Sequence, residues 1–204
     1  MRRMWWSLVV CALGVLAAFS GPGAAQDARK VVAVVPFADM VHGWSGTGAV
    51  VTDHVVGKLR DVQALRVLPV PQVQDALTQA HAGSQGVLDT AEAQKVGQAL
   101  GAAYVVMGEV DQFDWQSHSA YVLVATVVQQ TASVALKGQV FDVARGQVVG
   151  TPEGKAQITQ TGGSTWVGPW WSSVSVDNFD SQLIGKAASQ AVDKLVKQAG
   201  DLMK

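Results

Sequence analysis

The stretch VVAVVPF at residues 31–37 decides the fold class of this sequence. It is an uninterrupted run of β-branched and small apolar side chains, and Pro36 marks its end. A short apolar run with this composition, bounded by polar residues and a proline, is typical of a buried strand. A buried strand that is followed by a helix begins an α/β unit, so the fold class depends on whether a helical pattern follows residues 31–37.

Helical and strand patterns do alternate after this strand. Val51, Val55 and Leu59 recur at every fourth position, which is helical spacing. Asp89 or Thr90 can cap a further helix, in which Glu92 adds negative charge to the first turn. The predicted elements are a loop at 38–48, a helix at 49–62, a strand at 65–70, a helix with Pro71 in its first turn, a helix from 89 to 100, and a strand at 104–110.

The second half changes from helices to hairpins. Residues 120–128 are apolar on both faces, and polar and apolar residues alternate from Ser133. Residues 144–146 predict a hairpin turn, residues 155–161 a weaker strand, and residues 182–203 a long closing helix with one apolar face. The fold class is therefore α/β (α+β): a mixed β-sheet flanked by helices, with a β-α-β-α-α-β first half, β-hairpins in the second half and a C-terminal helix.

The N-terminus has the layout of a secretory signal peptide. Arg2 and Arg3 precede an uncharged apolar run at residues 8–19, and small residues follow, ending at Ala25. Cleavage after Ala25 is expected, which leaves residues 26–204 as a single domain. Cys11, the single cysteine, lies inside the apolar run, so no lipid-attachment motif is recognised. A cysteine-free exported chain is expected in the bacterial periplasm or at the outer membrane.

Charge and motif spacing argue against nucleic-acid binding and against catalysis. Residues 26–204 keep 13 of the 15 basic residues and all 16 acidic ones, a net charge of −3, with no basic excess for nucleic acid. Residues 42–48 (HGWSGTG) lie where nucleophile elbows and phosphate loops occur, but Thr47 and Val51 stand where glycines are needed. We interpret this segment as a lead-in whose Ser or Thr caps the next helix.

No metal or cofactor site is expected. His42, His54, His81 and His118 share no ligand spacing. The carboxylates of Glu109, Asp111 and Asp114 can attract a divalent cation, but their spacing matches no calcium loop, and a solvated strand end is favoured.

The order of these segments resembles the curli-secretion channel (CsgG) family. The resemblance rests on VAVVPF, on ALGAAYVVMGEV at 99–110, on VFDVARGQVV at 140–149 and on FDSQLIGKAASQAVDKLVKQ at 179–198. It spans about 170 residues. More distantly, the first half is similar to the N-terminal domain of TolB and to lipoprotein activators of penicillin-binding proteins. The resemblance implies a non-enzymatic role in export or assembly of extracellular material at the outer membrane, with ring-shaped oligomers.

The resemblance also implies two excursions from the α/β domain. In the channel, two hairpins per subunit leave the domain for the outer membrane, and the corresponding points here lead to residues 112–131 and 150–176. The second excursion contains TGGSTWVGPWWSS at 161–173, a glycine- and serine-rich loop that carries Trp166, Trp170 and Trp171 beside Pro169.

Three interpretations of this tryptophan loop remain open. The side chains fold onto the body, form an interface for a protein, a neighbouring subunit or a polymer, or dip into the outer membrane as an aromatic anchor or strand. We take Trp166, Pro169, Trp170 and Trp171 as the candidate interaction residues. The expected partners are an envelope or secretion-system protein, with further copies of the chain and the outer membrane as other candidates.

Two further functions remain as alternatives to a secretion or assembly protein. One is a monomeric periplasmic adaptor that docks a cell-wall synthesis or envelope complex. The other is an enzyme with a site around residues 42–48.

Overall fold

The computed structural model describes residues 29–41, 45–83, 88–122, 125–162 and 183–204, and at 119–122 and 125–128 it describes the backbone alone. Eleven elements lie in these ranges. They are β1 (Lys30–Val34), β2 (Ala38–Asp39), α1 (Thr47–Arg60), β3 (Leu65–Val67), α2 (Val70–Ala80), α3 (Thr90–Ala99), β4 (Tyr104–Val122), β5 (Ala125–Asp142), β6 (Gln147–Gly150), β7 (Glu153–Gly162) and α4 (Leu183–Leu202).

The strands form one mixed sheet. Its order is β3-β1-β4-β5-β6, with β2 beside β4 and β7 beside β5. The pairs of the first half, β1 with β3, β1 with β4 and β2 with β4, are parallel, and the pairs of β5 with β4, β6 and β7 are antiparallel. The predicted α/β class, with a mixed sheet and a closing helix, is confirmed.

Helices cover the sheet on both faces. One buried cluster joins β1, β4 and β5 to α1 and α4 through side chains such as Leu59, Val106 and Leu195. The other joins the opposite face of the same strands to α2 and α3 through Val73 and Val96. The parallel half of the molecule therefore has two apolar layers, which explains why its strands are apolar without alternation.

The strand predicted at 104–110 is much longer in the structure. β4 continues to Val122 and pairs with β5 along its whole length, so the excursion at 112–131 is a direct extension of two core strands. A bulge interrupts the register between Val110 and Gln112. The bulge places Val110 and Phe113, which are 0% and 2% exposed, in the same buried cluster, although strict alternation puts residues three apart on opposite faces.

β7 completes a three-stranded extension with β5 and β4. We call the part made by residues 112–122 of β4, 125–135 of β5 and all of β7 the hairpin sheet. α4 packs on one of its faces so closely that a Cβ on Gly154 would lie 2.0 Å from the carbonyl oxygen of Ala191. Glycine at 154 is therefore what lets β7 lie directly under the closing helix.

Several predicted boundaries were wrong by a few residues. The first strand ends at Val34 and not at 37, since Pro36 cannot donate to a ladder and the Phe37 amide donates instead to Thr52 Oγ1 at 2.8 Å. The second strand ends at Val67, because Pro69 is the N-cap of α2. Other ends shift by one or two residues: α1 begins at Thr47 and ends at Arg60, β7 begins at Glu153, and α4 spans Leu183–Leu202.

Candidate functional site

The N-terminus of α1 is capped by a residue from β2. Its N-cap, Gly46, has a φ of 85° and no side chain to offer, so the predicted Ser or Thr cap was wrong. The Asp39 carboxylate accepts hydrogen bonds from the Gly46 amide at 3.1 Å, from the Gly48 amide at 2.6 Å, and from the Thr47 hydroxyl. A carboxylate at this end of a helix is stabilised by the free amides and by the helix dipole.

This cap weighs against the alternative of an enzyme with a site around residues 42–48. Free amides at a helix N-terminus are what a phosphate loop or an oxyanion hole requires. Here Asp39 already occupies the amides of Gly46 and Gly48. The sequence near residue 46 therefore builds a closed structural junction between β2 and α1, while His42, Gly43 and Trp44 lie outside the described residues.

The three carboxylates singled out in the sequence lie in mid-strand and not at a strand end, because β4 runs on past them. Lys137 stands opposite Glu109 on β5. Its ammonium lies 2.9 Å from Asp111 Oδ1 and 3.9 Å from Glu109 Oε1, and the Asp111 hydrogen bond raises the pKa of Lys137. Asp114 accepts a hydrogen bond from Gln116 Nε2 at 2.8 Å. The cluster is thus a charge-paired strand surface.

A small cavity lies beside this cluster. It has a volume of about 180 Å³ and an apolar floor that includes Val35, Leu88 and Met107, with Glu109 and Lys137 at its rim. Glu153 also lines it and is held by Lys155, whose ammonium lies 2.7 Å away. That hydrogen bond lowers the pKa of Glu153. The rim is ionic, and within the described part of the chain no three His, Cys, Asp or Glu residues converge to hold a metal ion.

The hairpin sheet has one covered and one open face. On the covered face, Phe113, Val134 and Ala156 belong to the buried cluster under α4. On the open face the side chains are polar and exposed or half-buried, apart from the buried Ala135. The Thr131 and Thr159 hydroxyl oxygens lie 3.2 Å apart on this face. The polar positions of the open face are Gln112, Asp114 and Gln116 on β4, Thr131 and Ser133 on β5, and Lys155, Gln157 and Thr159 on β7.

The four candidate interaction residues are not among the residues that the structure describes. Trp166, Pro169, Trp170 and Trp171 fall in residues 163–182, outside the described residues, so their prediction is untested. β7 ends at Gly162, which leads directly into this segment, and α4 begins after it. The tryptophan loop therefore connects the far end of the hairpin sheet to the helix that covers it. Among the helices described, none is long and apolar enough to cross a lipid bilayer.

Fold and surface together define a class of protein: a mixed-sheet α/β module that extends two of its strands into a long hairpin with a polar open face. The chain belongs to the CsgG family, since the family model for the curli production assembly/transport component CsgG matches residues 23–201. This confirms the resemblance found in the sequence. The family is an envelope-related, non-enzymatic class of proteins.

Several solved structures are similar to the chain at low sequence identity. The PelC dodecamer from Paraburkholderia phytofirmans has 16% identity and a TM-score of 0.46, covering 84% of this chain and 88% of its own. The hypothetical protein CT253 from Chlamydia trachomatis has 16% identity and a TM-score of 0.47, covering 86% and 98%. The LpoB C-terminal domain from Escherichia coli has 16% identity and a TM-score of 0.41, covering 66% and 87%. No curated protein sequence matches the chain.

Two contacts in this region were not predicted from the sequence. Asp39 was assigned to a loop, and nothing in a single sequence ties it to amides seven to nine residues later. Lys137 was read only as the polar side of a strand. The missing signal was the pairing register of β4 with β5, including the bulge between Val110 and Gln112.

Proposed function

We propose that this chain is a non-enzymatic envelope protein that acts, as an oligomer, in export or assembly of extracellular or outer-membrane material. The observation that carries the proposal is the family match over residues 23–201, which covers both the α/β body and the hairpin sheet. The closed helix N-terminus at Asp39 and the ion-paired carboxylates of β4 support a binding role over a catalytic one.

The proposal includes export from the cytoplasm. Arg2, Arg3 and the apolar run at residues 8–19 have the layout of a cleaved signal peptide. Cleavage after Ala25 would release residues 26–204 as a single domain, in the periplasm or in contact with the outer membrane. The calculated net charge of −3 for this segment favours a protein or membrane partner over a nucleic acid.

We assign the main contact to Trp166, Trp170 and Trp171, with Pro169 restricting the backbone between them. Tryptophan is enriched among residues that dominate binding energy, and a loop with several glycines can adapt its shape to a partner. The loop joins the tip of β7 to α4.

The test compares the protein exported by cells that express the full sequence with two triple variants. One replaces Trp166, Trp170 and Trp171 with alanine, and the control replaces them with phenylalanine, which keeps aromatic area. Sedimentation velocity measures the oligomer, and flotation with phospholipid vesicles measures membrane contact. We expect the parent and the phenylalanine variant to assemble, and the alanine variant to assemble weakly while melting near the parental temperature.

Each outcome has a distinct meaning. Flotation that is lost in the alanine variant would assign the loop to the membrane, whereas assembly lost without flotation would assign it to a protein interface. A parent that is monomeric at all concentrations would reject the oligomer and leave a monomeric adaptor. A loss of roughly 3–5 kcal/mol of folding stability in the alanine variant would instead mark the tryptophans as core residues.

A further inference from the structure

The cavity beside the carboxylate cluster lies where the helical cover of the sheet ends. Met107 on β4 and Phe141 on β5 belong to the buried cluster under α2 and α3. Side chains two residues apart on a strand share a face, so β4 continues on this face with Glu109, and β5 with Gln139 and Lys137. These three residues line the cavity together with Met107. Apolar and ionic groups therefore meet in one recess.

The floor of the cavity is apolar and tightly held. Val35, Leu88 and Met107 are 5%, 7% and 5% exposed, and Pro36 lines the cavity beside them. The volume is about 180 Å³, and an apolar cavity of about 150 Å³ is large enough to hold benzene. The floor therefore suits one compact apolar group, of the size of a single aromatic or branched aliphatic side chain.

The rim of the cavity offers both signs of charge to a ligand. The Lys137 ammonium lies 2.9 Å from Asp111 Oδ1 and 3.9 Å from Glu109 Oε1. An ammonium has three N–H donors, and 3.9 Å is too long for a hydrogen bond. Lys137 therefore keeps donors for a further carboxylate, and Glu109 keeps acceptor capacity for a further ammonium. The Lys137 and Glu109 side chains are 46% and 30% exposed, so a ligand can reach both.

We propose that this cavity binds a free α-amino acid with an apolar side chain. The side chain fills the floor, the α-carboxylate accepts from Lys137, and the α-ammonium donates to Glu109. A single carbon joins the two charged groups of an amino acid, which matches a rim whose own opposite charges lie 3.9 Å apart. The inference adds a small ligand to the proposed binding protein and does not depend on whether copies of the chain assemble.

Ligands of other charge fit the cavity less well. A simple anion is repelled by the carboxylates of Glu109, Asp111 and Glu153, and a simple cation is repelled by Lys137. A neutral apolar molecule fills the floor but takes water from the charged rim without replacing its hydrogen bonds, which costs free energy. A zwitterion with an apolar side chain pairs with both signs of the rim and fills the floor.

The first part of the test uses the parent protein and related ligands. Phenylalanine and leucine carry both charges, N-acetylphenylalanine keeps only the carboxylate, phenylalanine amide keeps only the ammonium, and glycine lacks the apolar group. Nuclear magnetic resonance of methyl-labelled methionine reads binding, since Met107 lines the cavity and Met203 is buried on the other face of the sheet. We expect phenylalanine to shift the Met107 signal with a dissociation constant on the order of 1 mM. Each blocked derivative should bind roughly fivefold to tenfold more weakly, and glycine should leave the signal unchanged.

The second part compares variants at the rim, with thermal melting as the check on folding. Glu109→Gln removes the acceptor for the α-ammonium, so it should weaken phenylalanine and not weaken N-acetylphenylalanine. Lys137→Gln removes the donor for the α-carboxylate, so it should weaken phenylalanine and not weaken phenylalanine amide. Asp53→Asn on α1 and Lys186→Gln on α4 are matched changes at exposed residues on helices that cover the other face, and they should bind like the parent.

Three results with the parent protein would overturn the inference. A Met107 signal that neither phenylalanine nor leucine shifts rejects the ligand. Equal binding of phenylalanine and its two blocked derivatives rejects recognition of the zwitterion. A shift of Met203 as large as that of Met107 places the binding outside the cavity. These readings hold even where a rim variant fails to fold, and none of them bears on the assembly by which the proposed function is judged.

Discussion

The body of the molecule and its hairpin sheet are built from the same strands but buried differently. β4 between Tyr104 and Val110 lies between two helical layers, and Val105 and Val106 are both fully buried on opposite faces. Past the bulge, Phe113 is buried under α4 whereas Gln112 and Gln116 are exposed. One strand thus passes from a two-sided core to a one-sided core within a few residues.

This difference separates residues that stabilise the fold from residues whose side chains are left accessible to a partner. Apolar area buried on both faces supplies folding energy in the body, and it leaves little side-chain surface for a partner. The hairpin sheet buries one face and presents hydroxyls, amides and paired charges on the other. Changes on the covered face should therefore alter folding, and changes on the open face should alter association.

The largest expected effect comes from the covered face of the hairpin sheet. Phe113→Ala should lower the free energy of unfolding by about 3–5 kcal/mol, because it removes a ring that is 2% exposed and leaves a cavity under α4. Chemical denaturation followed by circular dichroism measures this. Gln112→Ala, on the adjacent open position, should change it by less than about 0.5 kcal/mol. Equal losses in the two variants would remove the distinction between the faces.

A smaller effect is expected where β7 meets α4. Gly154→Ala adds a Cβ that would lie 2.0 Å from the Ala191 carbonyl oxygen, so the helix must shift, at a cost of about 1–3 kcal/mol. Gly57→Ala is the matched control, since nothing lies within 4 Å of its added Cβ. That change should stabilise α1 by about 0.5–1 kcal/mol. Comparable melting temperatures for the two variants would show that α4 does not pack closely on β7.

The next smaller effect on folding stability is expected at the junction between β2 and α1. Asp39→Ala removes the acceptor for the Gly46 and Gly48 amides and should cost about 0.5–2 kcal/mol. Asp53→Ala, on the exposed side of α1, should have little effect. The two variants differ only in whether the lost carboxylate caps the helix, and thermal melts compare them directly. An Asp39→Ala protein as stable as the Asp53→Ala protein would mean that the cap contributes nothing.

The same contrast explains what the sequence could predict. Helical spacing at Val51, Val55 and Leu59 and the cap expected at Asp89 or Thr90 are local patterns. The structure confirms α1 and shows Asp89 as the N-cap of α3, where it forms a capping box with Glu92. The extent of β4 was not predictable, because the polar residues of 111–118 resemble a loop until pairing with β5 is known. Cross-strand contacts such as Lys137 with Asp111 depend on register. The candidate tryptophans remain a prediction from composition.

The smallest expected effect is on the pKa of Glu153, which lies on the same side of the sheet as the open face. The Lys155 ammonium donates a hydrogen bond to Glu153 and lowers the pKa of that carboxyl below its ordinary value of 4.5. Lys155→Gln should bring the pKa of Glu153 back towards 4.5, as read by nuclear magnetic resonance of the Glu153 side chain.

The sign of the stability effect follows from the lowered pKa. Because the folded-state pKa lies below the unfolded-state pKa, the pair stabilises the protein above about pH 4.5 and loses this contribution as the pH falls through the folded-state value. Both groups are exposed, so the loss should be small and should shrink further in high salt. Lys186→Gln, on α4, is the matched control. A Glu153 pKa that is unchanged in Lys155→Gln would mean that the two side chains do not pair in solution.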